Sequence, residues 1–506
     1  MNRKIILATV FLTGAAILVI EVTATRILAP YFGNTLYTVS SIIAVILGAL
    51  SAGYYFGGIL ADKNPDYKRF FQIIIVAGIF CLFIQLFSVL ILKDLGYSLN
   101  IKWGPLIVSL MVFFIPSALL GMLAPYAVKL ISRDLLTAGR DSGMVFFLST
   151  LGSITGSLLT GFFLIPSFSI SLIIVATGFF LFFIGASGLF IYKDSLRTKT
   201  GTKTIIIFLC GVLGLMIGLA VLISSAAKKD DFKIFQKDGM YGRITIVSQQ
   251  INNRLATALY IDRTCEGAVY PDSGELPIRY ANYYSLYRII NPQLESALFL
   301  GGGLYSMPRA LLMENRGIEK VDVVEIDPDL YPLAKQYFGL SDDERLINNI
   351  NDGRRFLMET DNRYGMIFAD VYYSLYSIPI HFTTREFFKL AKDRLTDGGF
   401  IAMNVIGSLE KNKNSFLLSE FKTFRSVFKN SYLISDSPDN KGMQNYIFLG
   451  LNDENFKLSP EEGNSSLPLI GNITDKIINL VDLPLESAII LTDDYSPVEK
   501  LTADTF

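Results

Sequence analysis

Seven windows of about 20 apolar residues occupy the first 226 positions, and each is long enough to cross the hydrocarbon core of a bilayer. They lie at 5–29, 37–61, 70–92, 104–131, 142–165, 168–192 and 204–225. Such a series predicts a multi-pass α-helical membrane domain. Composition agrees, since 51% of the 506 residues are hydrophobic and only 18% are charged, too apolar for an ordinary soluble chain. The first window lacks a small-residue cleavage site, which favours a retained helix over a signal peptide.

The loops between these windows differ strongly in their content of Lys and Arg. With a cytoplasmic N-terminus, the opposite side holds only Lys93 and Lys102, whereas the cytoplasmic side holds Arg3, Lys4, Lys63, Lys68, Arg69, Lys129, Arg133, Arg140, Lys193, Arg197, Lys199 and Lys203. The positive-inside rule therefore predicts a cytoplasmic N-terminus in the cell membrane. Seven membrane spans then place the rest of the chain outside the cytoplasm, whereas six spans would place it in the cytoplasm.

Two charged residues, Glu21 and Arg26, lie inside the first apolar window. Charges in lipid are costly unless they face a partner or a cavity. The pair therefore predicts either a polar site within the helix bundle or an interfacial pair at a helix end.

Other compositional features exclude several classes of function. Cys81, Cys210 and Cys265 are far apart and His381 is the only histidine, so neither a disulfide framework nor a metal site is predicted. The net charge of -1 argues against nucleic acid as a partner.

The remainder of the chain alternates apolar runs with helical patterns. Short β-branched strands at 241–262 predict a small β-sheet, and runs at 297–300, 321–325, 347–350, 366–369 and 400–406 predict a mostly parallel α/β sheet of Rossmann-like type. We divide the chain into a membrane domain (1–228), a small β domain (229–290), a Rossmann-like nucleoside-binding catalytic domain (291–452) and a tail closing the site (453–506).

Polar residues fall where this architecture binds ligands. Gly301, Glu325, Asp352 and Asp370 each stand at or just past the carboxyl end of a predicted strand, and these ends share one edge of the sheet. The glycines let a ligand approach the backbone, and Glu325 is placed to accept both hydroxyls of a ribose. Asp352 is placed to meet an adenine amine, or else to cap a helix, while Asp370 points toward the reacting end.

These stretches resemble spermidine synthase, the aminopropyltransferase family, across residues 232–452, and most of all its membrane-fused relatives, the fused major-facilitator and spermidine-synthase proteins. The resemblance is carried by YGRITIV, ALFLGGG, VDVVEIDPDLYPLAKQYFGL, NDGRRFL, YGMIFADVYYSLYSIPIHFTTREFF, LTDGGFIAMNVIG and LTDDYSPVEKL. In the apolar part, EVTATRILAPYFGNT and GYYFGGILADK are similar to the opening spans of the fused proteins.

The resemblance implies a class I methyltransferase-like fold, an S-adenosyl sulfonium donor and no metal. It implies that the adenosine part of decarboxylated S-adenosylmethionine, or of S-adenosylmethionine, is held by Gly301, Gly302, Gly303, Glu325, Asp327, Asp352 and Gly353. Asp370 matches the catalytic aspartate, which orients the amine and takes its proton. The resemblance to the soluble members of the family also implies that this protein forms a homodimer, and no other sequence feature indicates one.

Two positions depart from the family, because Leu304 and Tyr373 stand where it has acids. Replacement acids are expected from Glu266, or from Asp493, Asp494 and Glu499 if the tail folds over the site. The alternative for 492–494 is a turn or a helix cap. Tyr283, Tyr284, Tyr372 and Tyr373 are candidates for an acceptor pocket through cation–π contact, with core packing as the alternative. We also assign Tyr283 and His381 to the catalytic set; a structural histidine is the alternative reading of His381.

Three hypotheses follow from these residues. The first is a membrane-embedded transferase acting on an amine or another acceptor presented at the lipid bilayer. The second is a non-enzymatic transporter or receptor for polyamine or nucleoside. The third is another reaction on the same scaffold, such as methyl transfer or elimination.

Overall fold

The computed structural model describes residues 2–63, 65–100, 102–132, 135–192, 213–214, 217–218, 232–372, 378–458 and 470–503. The chain divides into two compact units, Met1–Asp230 and Asp231–Phe506. We call them the N-terminal and C-terminal units. The four-part division predicted from the sequence is finer than this and stays a prediction.

Helices make up most of the described residues of the N-terminal unit. Six of its helical segments are long and apolar enough to cross a membrane, and they coincide with the first six predicted windows. The seventh, 204–225, lies almost entirely outside the described residues. The helices are α1 (Asn2–Phe32), α2 (Leu36–Lys63), α3 (Tyr67–Leu90), α4 (Leu92–Ser98), α5 (Gly104–Gly121), α6 (Leu123–Ile131), α7 (Ala138–Leu159), α8 (Ile165–Ser167) and α9 (Ile170–Ile191), with a 3-10 turn at Leu135–Thr137 and a π turn at Thr160–Leu164.

Small residues bring the long helices into close contact. A Cβ atom on Gly152 of α7 would lie 2.0 Å from the carbonyl oxygen of Phe11 on α1, so no larger residue fits there without separating the helices. Glu21 and Arg26 both lie on α1, and both are half-buried. Their proposed polar site stays a prediction.

The C-terminal unit begins with a small antiparallel sheet of four strands in the order β1-β2-β3-β4. The strands are β1 (Lys233–Asp238), β2 (Arg243–Ile251), β3 (Arg254–Ile261) and β4 (Thr264–Val269). Asn252 and Asn253, both with positive φ, form the two-residue turn between β2 and β3, a geometry that matches the strand twist. A 3-10 helix at Arg279–Leu286 then leads into the main fold.

The main sheet has seven strands in the order β10-β11-β9-β8-β5-β6-β7. Its strands are β5 (Ser296–Leu300), β6 (Lys320–Glu325), β7 (Leu346–Ile350), β8 (Tyr364–Ala369), β9 (Leu395–Gly407), β10 (Asn430–Ile434) and β11 (Gln444–Leu451). Strands β5 to β9 are parallel, and β10 and β11 add an antiparallel edge. The predicted Rossmann-like fold with a small N-terminal sheet is therefore confirmed.

Helices and short turns complete this unit. They are α10 (Tyr287–Ile290), α11 (Ser306–Glu314), α12 (Leu330–Tyr337), α13 (Gly353–Glu359), α14 (Arg385–Asp393), α15 (Ser415–Val427) and α16 (Val498–Ala503), with 3-10 turns at Ile380–Phe382, Ile473–Lys476, Leu480–Asp482 and Leu485–Ser487. The central strands are buried on both sides, as β8 shows at every position. Burial on both faces explains why these strands read as continuous apolar runs.

Candidate active site

A cavity opens at the carboxyl ends of strands β5 and β8. From β5 the chain proceeds to β6 and β7 on one side, whereas β8 leads to β9 on the other, so ligands are expected where these two directions diverge. The cavity is lined by residues of the small sheet, the 3-10 helix and the loops that follow β5, β6, β7 and β8. Its polar lining residues are Glu266, Tyr280, Ser306, Glu325, Asn351, Asp352, Asp370, Tyr372 and His381.

Gly301, immediately after β5, allows the two strand ends to meet. Its φ is +91°, and a Cβ atom there would lie 1.9 Å from the carbonyl oxygen of Asp370. Any side chain would therefore displace the backbone that carries Asp370. The first residue of the glycine turn is therefore needed for packing inside the protein, and its role in ligand approach stays a prediction.

Glu325 holds the glycine turn in place through hydrogen bonds to its backbone. One carboxylate oxygen accepts hydrogen bonds from the backbone N–H groups of Gly302 (2.8 Å) and Gly303 (3.1 Å). The other accepts from the N–H of Asp327 at 2.8 Å. Burial raises the pKa of Glu325, and these three hydrogen bonds partly offset that rise. Glu325 borders the cavity, so its role toward a ribose stays a prediction beside this structural one.

Asp352 caps helix α13, as the alternative interpretation of the sequence anticipated. One carboxylate oxygen accepts from the N–H of Arg355 at 2.9 Å. The other lies 3.0 Å from Nε2 of His381, and the hydrogen bond with His381 lowers the pKa of Asp352. Gly353 and His381 also line the cavity. The structure therefore brings His381 to Asp352, and a catalytic role for His381 stays a prediction.

Asp370 is held by two side chains from other elements. The hydroxyl of Tyr280 donates to one carboxylate oxygen at 3.0 Å, and Nδ2 of Asn404 donates to the other at 2.9 Å. The amide of Asn404 is itself oriented by Asn445, whose Nδ2 donates to its oxygen at 2.9 Å. Burial raises the pKa of Asp370, and the bonds from Asn404 and Tyr280 counteract it. The carboxylate is thus fixed in orientation at the edge of the cavity.

Glu266 approaches the same cavity from strand β4 of the small sheet. Its pKa is raised well above the usual range by burial first, and then by repulsion from Asp370, Glu325 and Asp262. The expected replacement acid is therefore close enough to Asp370 for their charges to interact.

The charge of the cavity is one-sided. Four carboxyl groups line it, and no Lys or Arg is found among the described lining residues. A cavity with this lining favours a cationic ligand, because bound positive charge relieves the mutual repulsion of the acids. Among the described residues, no group of three metal-binding side chains comes together.

Tyr283 and Tyr284 lie away from the cavity, contrary to their predicted placement. The Tyr283 hydroxyl donates to Asp436 at 3.4 Å, and that of Tyr284 donates to Glu314 at 2.6 Å. Both rings are buried in the core between the 3-10 helix and the sheet. The 3-10 helix instead presents Tyr280 to the cavity.

Asp493, Asp494 and Asp327 also fall outside the cavity lining. Asp493 forms an ion pair with Arg354 and accepts a hydrogen bond from Thr384 at 2.7 Å, so it fastens the tail to the start of α14. Asp494 is exposed. Asp327 is buried, and one of its oxygens accepts from the N–H of Asp329 at 3.0 Å, which shapes the loop after β6. The expectation that these acids hold ligand is corrected accordingly.

Tyr372 lines the cavity, but its hydroxyl turns away from any ligand. It donates to Oε1 of the fully buried Glu420 at 2.6 Å. This bond anchors the chain just after Asp370. Tyr373 lies outside the described residues, as do 374–377.

Tyr280 and Asn404 are the site residues that sequence reasoning missed. The sequence contains a local signal for Asn404, because it is the single amide in the otherwise apolar run FIAMNVI of β9. In the structure this side chain is buried, with 2% of its surface exposed. A buried amide inside a strand generally has a specific partner. Tyr280 had no such signal, since its partner Asp370 is 90 positions away.

Comparisons with known proteins agree with this geometry. Residues 287–448 match the family described as "Spermine/spermidine synthase domain". The C-terminal unit contains a spermine/spermidine synthase domain. This synthase domain carries Gly301, Glu325, Asp352, Asp370 and Asn404, whereas Glu266 and Tyr280 precede it.

Relatives of the synthase domain are aminopropyltransferases. The polyamine aminopropyltransferase of Vibrio vulnificus is 27% identical over 221 residues, covering 42% of this chain and 72% of that protein. That of Sulfolobus acidocaldarius is 32% identical over 162 residues, covering 30% and 52%. Polyamine aminopropyltransferase 1 of Streptomyces coelicolor is 23% identical over 385 residues, covering 73% and 69%. The C-terminal unit is thus an aminopropyltransferase-like enzyme domain.

Among solved structures, the spermidine synthase of Thermotoga maritima has a TM-score of 0.37 and 19% sequence identity, covering 46% of this chain and 78% of that one. Human methyltransferase-like protein 13, solved in complex with SAH, has a TM-score of 0.32 and 22% identity, covering 38% and 88%.

Proposed function

We propose that this protein is a membrane-embedded transferase that moves the aminopropyl group of decarboxylated S-adenosylmethionine to an amine, with Asp370 as the base. The observation that carries the proposal is the fixed carboxylate of Asp370, held by Tyr280 and Asn404 at the edge of an acidic cavity. A module that only bound nucleoside would have no need of a carboxylate fixed by two partners.

The donor is expected to lie along the glycine turn. Gly301 to Gly303, Asp352 and Gly353 border one end of the cavity, which suits an adenosine group. The positive sulfonium then faces the carboxyl groups at the other end, where Glu266 and Asp370 interact. S-adenosylmethionine carries a carboxylate of its own and fits this lining less well.

The reaction requires little covalent chemistry from the protein. The amine nitrogen attacks the aminopropyl carbon next to the sulfonium, the carbon–sulfur bond breaks, and methylthioadenosine leaves as a neutral thioether. Asp370 orients the amine and accepts the proton that the new ammonium releases. Because this carboxylate is fixed before the reaction, it pays little reorganisation cost on reaching the transition state.

The acceptor is an amine, free or presented at the membrane. The six apolar helices support embedding in a bilayer, and attachment to a bilayer would bring a lipid, glycan or exported peptide within reach. A homodimer stays a prediction.

Product release from the full-length protein tests this proposal. Protein in detergent, given decarboxylated S-adenosylmethionine and candidate amines, should release methylthioadenosine. Asp370→Asn should lower the rate at least 100-fold, because the amide keeps the shape but cannot take the proton. Asp494→Asn removes an exposed acid of the same unit and should leave the rate unchanged.

Other outcomes would contradict the proposal. If methylthioadenosine binds but neither decarboxylated S-adenosylmethionine nor S-adenosylmethionine is consumed, the protein is a receptor or transporter. If S-adenosylmethionine alone is consumed, the domain carries out another sulfonium reaction.

A further inference from the structure

One carboxyl group in the cavity differs from the others in its hydrogen bonding. Glu325, Asp352 and Asp370 each have both oxygens engaged by protein groups. Glu266 has one oxygen, Oε1, that is buried and accepts no hydrogen bond from any described residue. A buried, ionisable oxygen with no donor is unfavourable, so this oxygen is available to a ligand.

The described cavity wall around Glu266 contains no Lys or Arg. The next residue, Gly267, is covered by Leu304, whose Cδ2 would lie 2.4 Å from a Cβ at that position. The wall beside Glu266 is therefore apolar. No described Lys or Arg lines the cavity, so a cation that pairs with Glu266 must arrive with the ligand.

The acids around Glu266 also disfavour its ionised form. Burial is the largest cause, and repulsion from Asp370, Glu325 and Asp262 adds to it, so that the pKa of Glu266 is raised. Two neutral titratable groups among the described residues, Tyr280 and Cys265, also interact with it. A bound ammonium would reverse this balance and would release a proton as Glu266 ionises.

We propose that Glu266 is the counter-ion of a primary ammonium group on the ligand, and that it gives the cavity its specificity for an amine-bearing molecule. This inference rests on the proposed function and names the group that the site recognises. The ammonium belongs either to the aminopropyl arm of the donor or to the acceptor amine. Glu266 is a specificity residue in this account, whereas Asp370 is catalytic.

Glu266→Gln in the full-length protein tests the inference, because it removes the charge and keeps the shape. Titration calorimetry compares decarboxylated S-adenosylmethionine with methylthioadenosine, which has the same nucleoside thioether and no ammonium. A donor ammonium predicts ~10- to 100-fold weaker binding of the first ligand and unchanged binding of the second. An acceptor ammonium predicts unchanged donor binding and a KM for the amine raised by a similar factor.

Two results would overturn the inference. One is donor binding and amine KM both unchanged in Glu266→Gln. The other is methylthioadenosine binding weakened as much as donor binding, which would show that Glu266 acts only on the shape of the cavity.

Proton release gives a readout that a structural role would not change. Titrations in buffers of different ionisation enthalpy count the protons released when the amine-bearing ligand binds. The wild type should release more protons than Glu266→Gln at the same pH. Equal numbers would overturn the assignment.

A charge placed nearby should restore the function. Leu304 lies against Gly267, so Glu266→Gln/Leu304→Asp returns a carboxylate to the same wall of the cavity. It should recover affinity for the ammonium, whereas the matched Glu266→Gln/Leu304→Asn should not. Equal recovery by both would show that charge is not the cause.

The two proposals can fail separately. If the wild type consumes donor and Glu266→Gln behaves identically, the counter-ion inference fails and the transferase stands. If the wild type consumes no donor but binds amine-bearing ligands through Glu266, the transferase proposal fails and the counter-ion stands.

Discussion

Asp370 depends for its orientation on residues from two other segments of the fold. Tyr280 comes from the 3-10 helix before the sheet, and Asn404 comes from β9. Each occupies one oxygen of the carboxylate. Both bonds also favour the ionised form of Asp370, the form that can accept a proton.

Tyr280→Phe should therefore slow catalysis and shift its pH dependence. Losing a hydrogen bond to a charged group should lower kcat about 10- to 100-fold. The bond from Tyr280 lowers the pKa of Asp370, so its removal raises that pKa and moves the acidic limb of kcat/KM to higher pH. A pH–rate profile measures both effects.

Tyr284→Phe is the matched control for this variant. Its hydroxyl bonds to Glu314, away from the cavity, so the pH profile should stay in place. An unchanged profile in Tyr280→Phe would show that the tyrosine does not act on Asp370.

At the scale of elements, the carboxyl ends of β5 and β8 are held directly against each other. The two strands are parallel neighbours, and the N–H of Asp370 donates to the carbonyl of Leu300 at 2.8 Å. Gly301 then passes directly against the backbone of Asp370. The glycine turn and the carboxylate of Asp370 are therefore positioned by the same contact.

Gly301→Ala should disrupt both at once. The new methyl group would overlap the carbonyl oxygen of Asp370, and φ of +91° is strained for alanine. We expect loss of methylthioadenosine binding together with loss of transfer, and calorimetry measures the first independently of the second.

Gly303→Ala separates the two effects of that substitution. Gly303 also has positive φ, at +52°, but open space surrounds its Cβ position. It should leave the backbone of Asp370 in place, at a cost of about 1 kcal/mol in the free energy of unfolding, so kcat at saturating donor should fall far less than in Gly301→Ala. An equal fall in kcat would mean that backbone strain alone decides the turn.

At the scale of the whole molecule, buried acids make stability depend on pH. Glu420 is fully buried on α15, and burial raises its pKa from 4.5 to about 8. Between these two values the folded protein holds a proton that the unfolded chain does not. Its contribution to stability is complete below pH 4.5 and is lost as the pH rises through about 8.

Glu420→Gln should therefore flatten the pH dependence of stability. Scanning calorimetry of the full chain should show a fall in Tm between pH 4.5 and about 8 for the wild type and a smaller fall for the variant. Asp370 and Glu266 contribute with the same sign, so the dependence is reduced, not abolished. An identical fall in both proteins would contradict the assignment to Glu420.

The side of the membrane that holds the C-terminal unit depends on the number of spans. Charge asymmetry together with seven spans predicts an extracytoplasmic C-terminal unit, whereas the described residues contain six helices that are long and apolar enough to cross a membrane. Reporter fusions after Lys233 should show an external location. A strong cytoplasmic signal there would mean that 204–225 does not cross the bilayer.

The sequence by itself determined the elements and their order. Apolar windows of fixed length predicted six helices that the structure contains, and apolar runs predicted strands β5 to β9, because both patterns follow from local backbone geometry. The placement of Gly301, Glu325, Asp352 and Asp370 at one sheet edge followed as well, since parallel strands align their carboxyl ends.

Only the tertiary structure decided which side chains meet. Asp370 finds its partners 90 and 34 positions away, distances over which no periodic pattern carries information. The same limit explains why Tyr283, Tyr284 and Asp493 were misplaced and Tyr280 was missed. The buried oxygen of Glu266 is likewise a property of packing, because no described neighbour donates a hydrogen bond to it and only the folded structure brings those neighbours together.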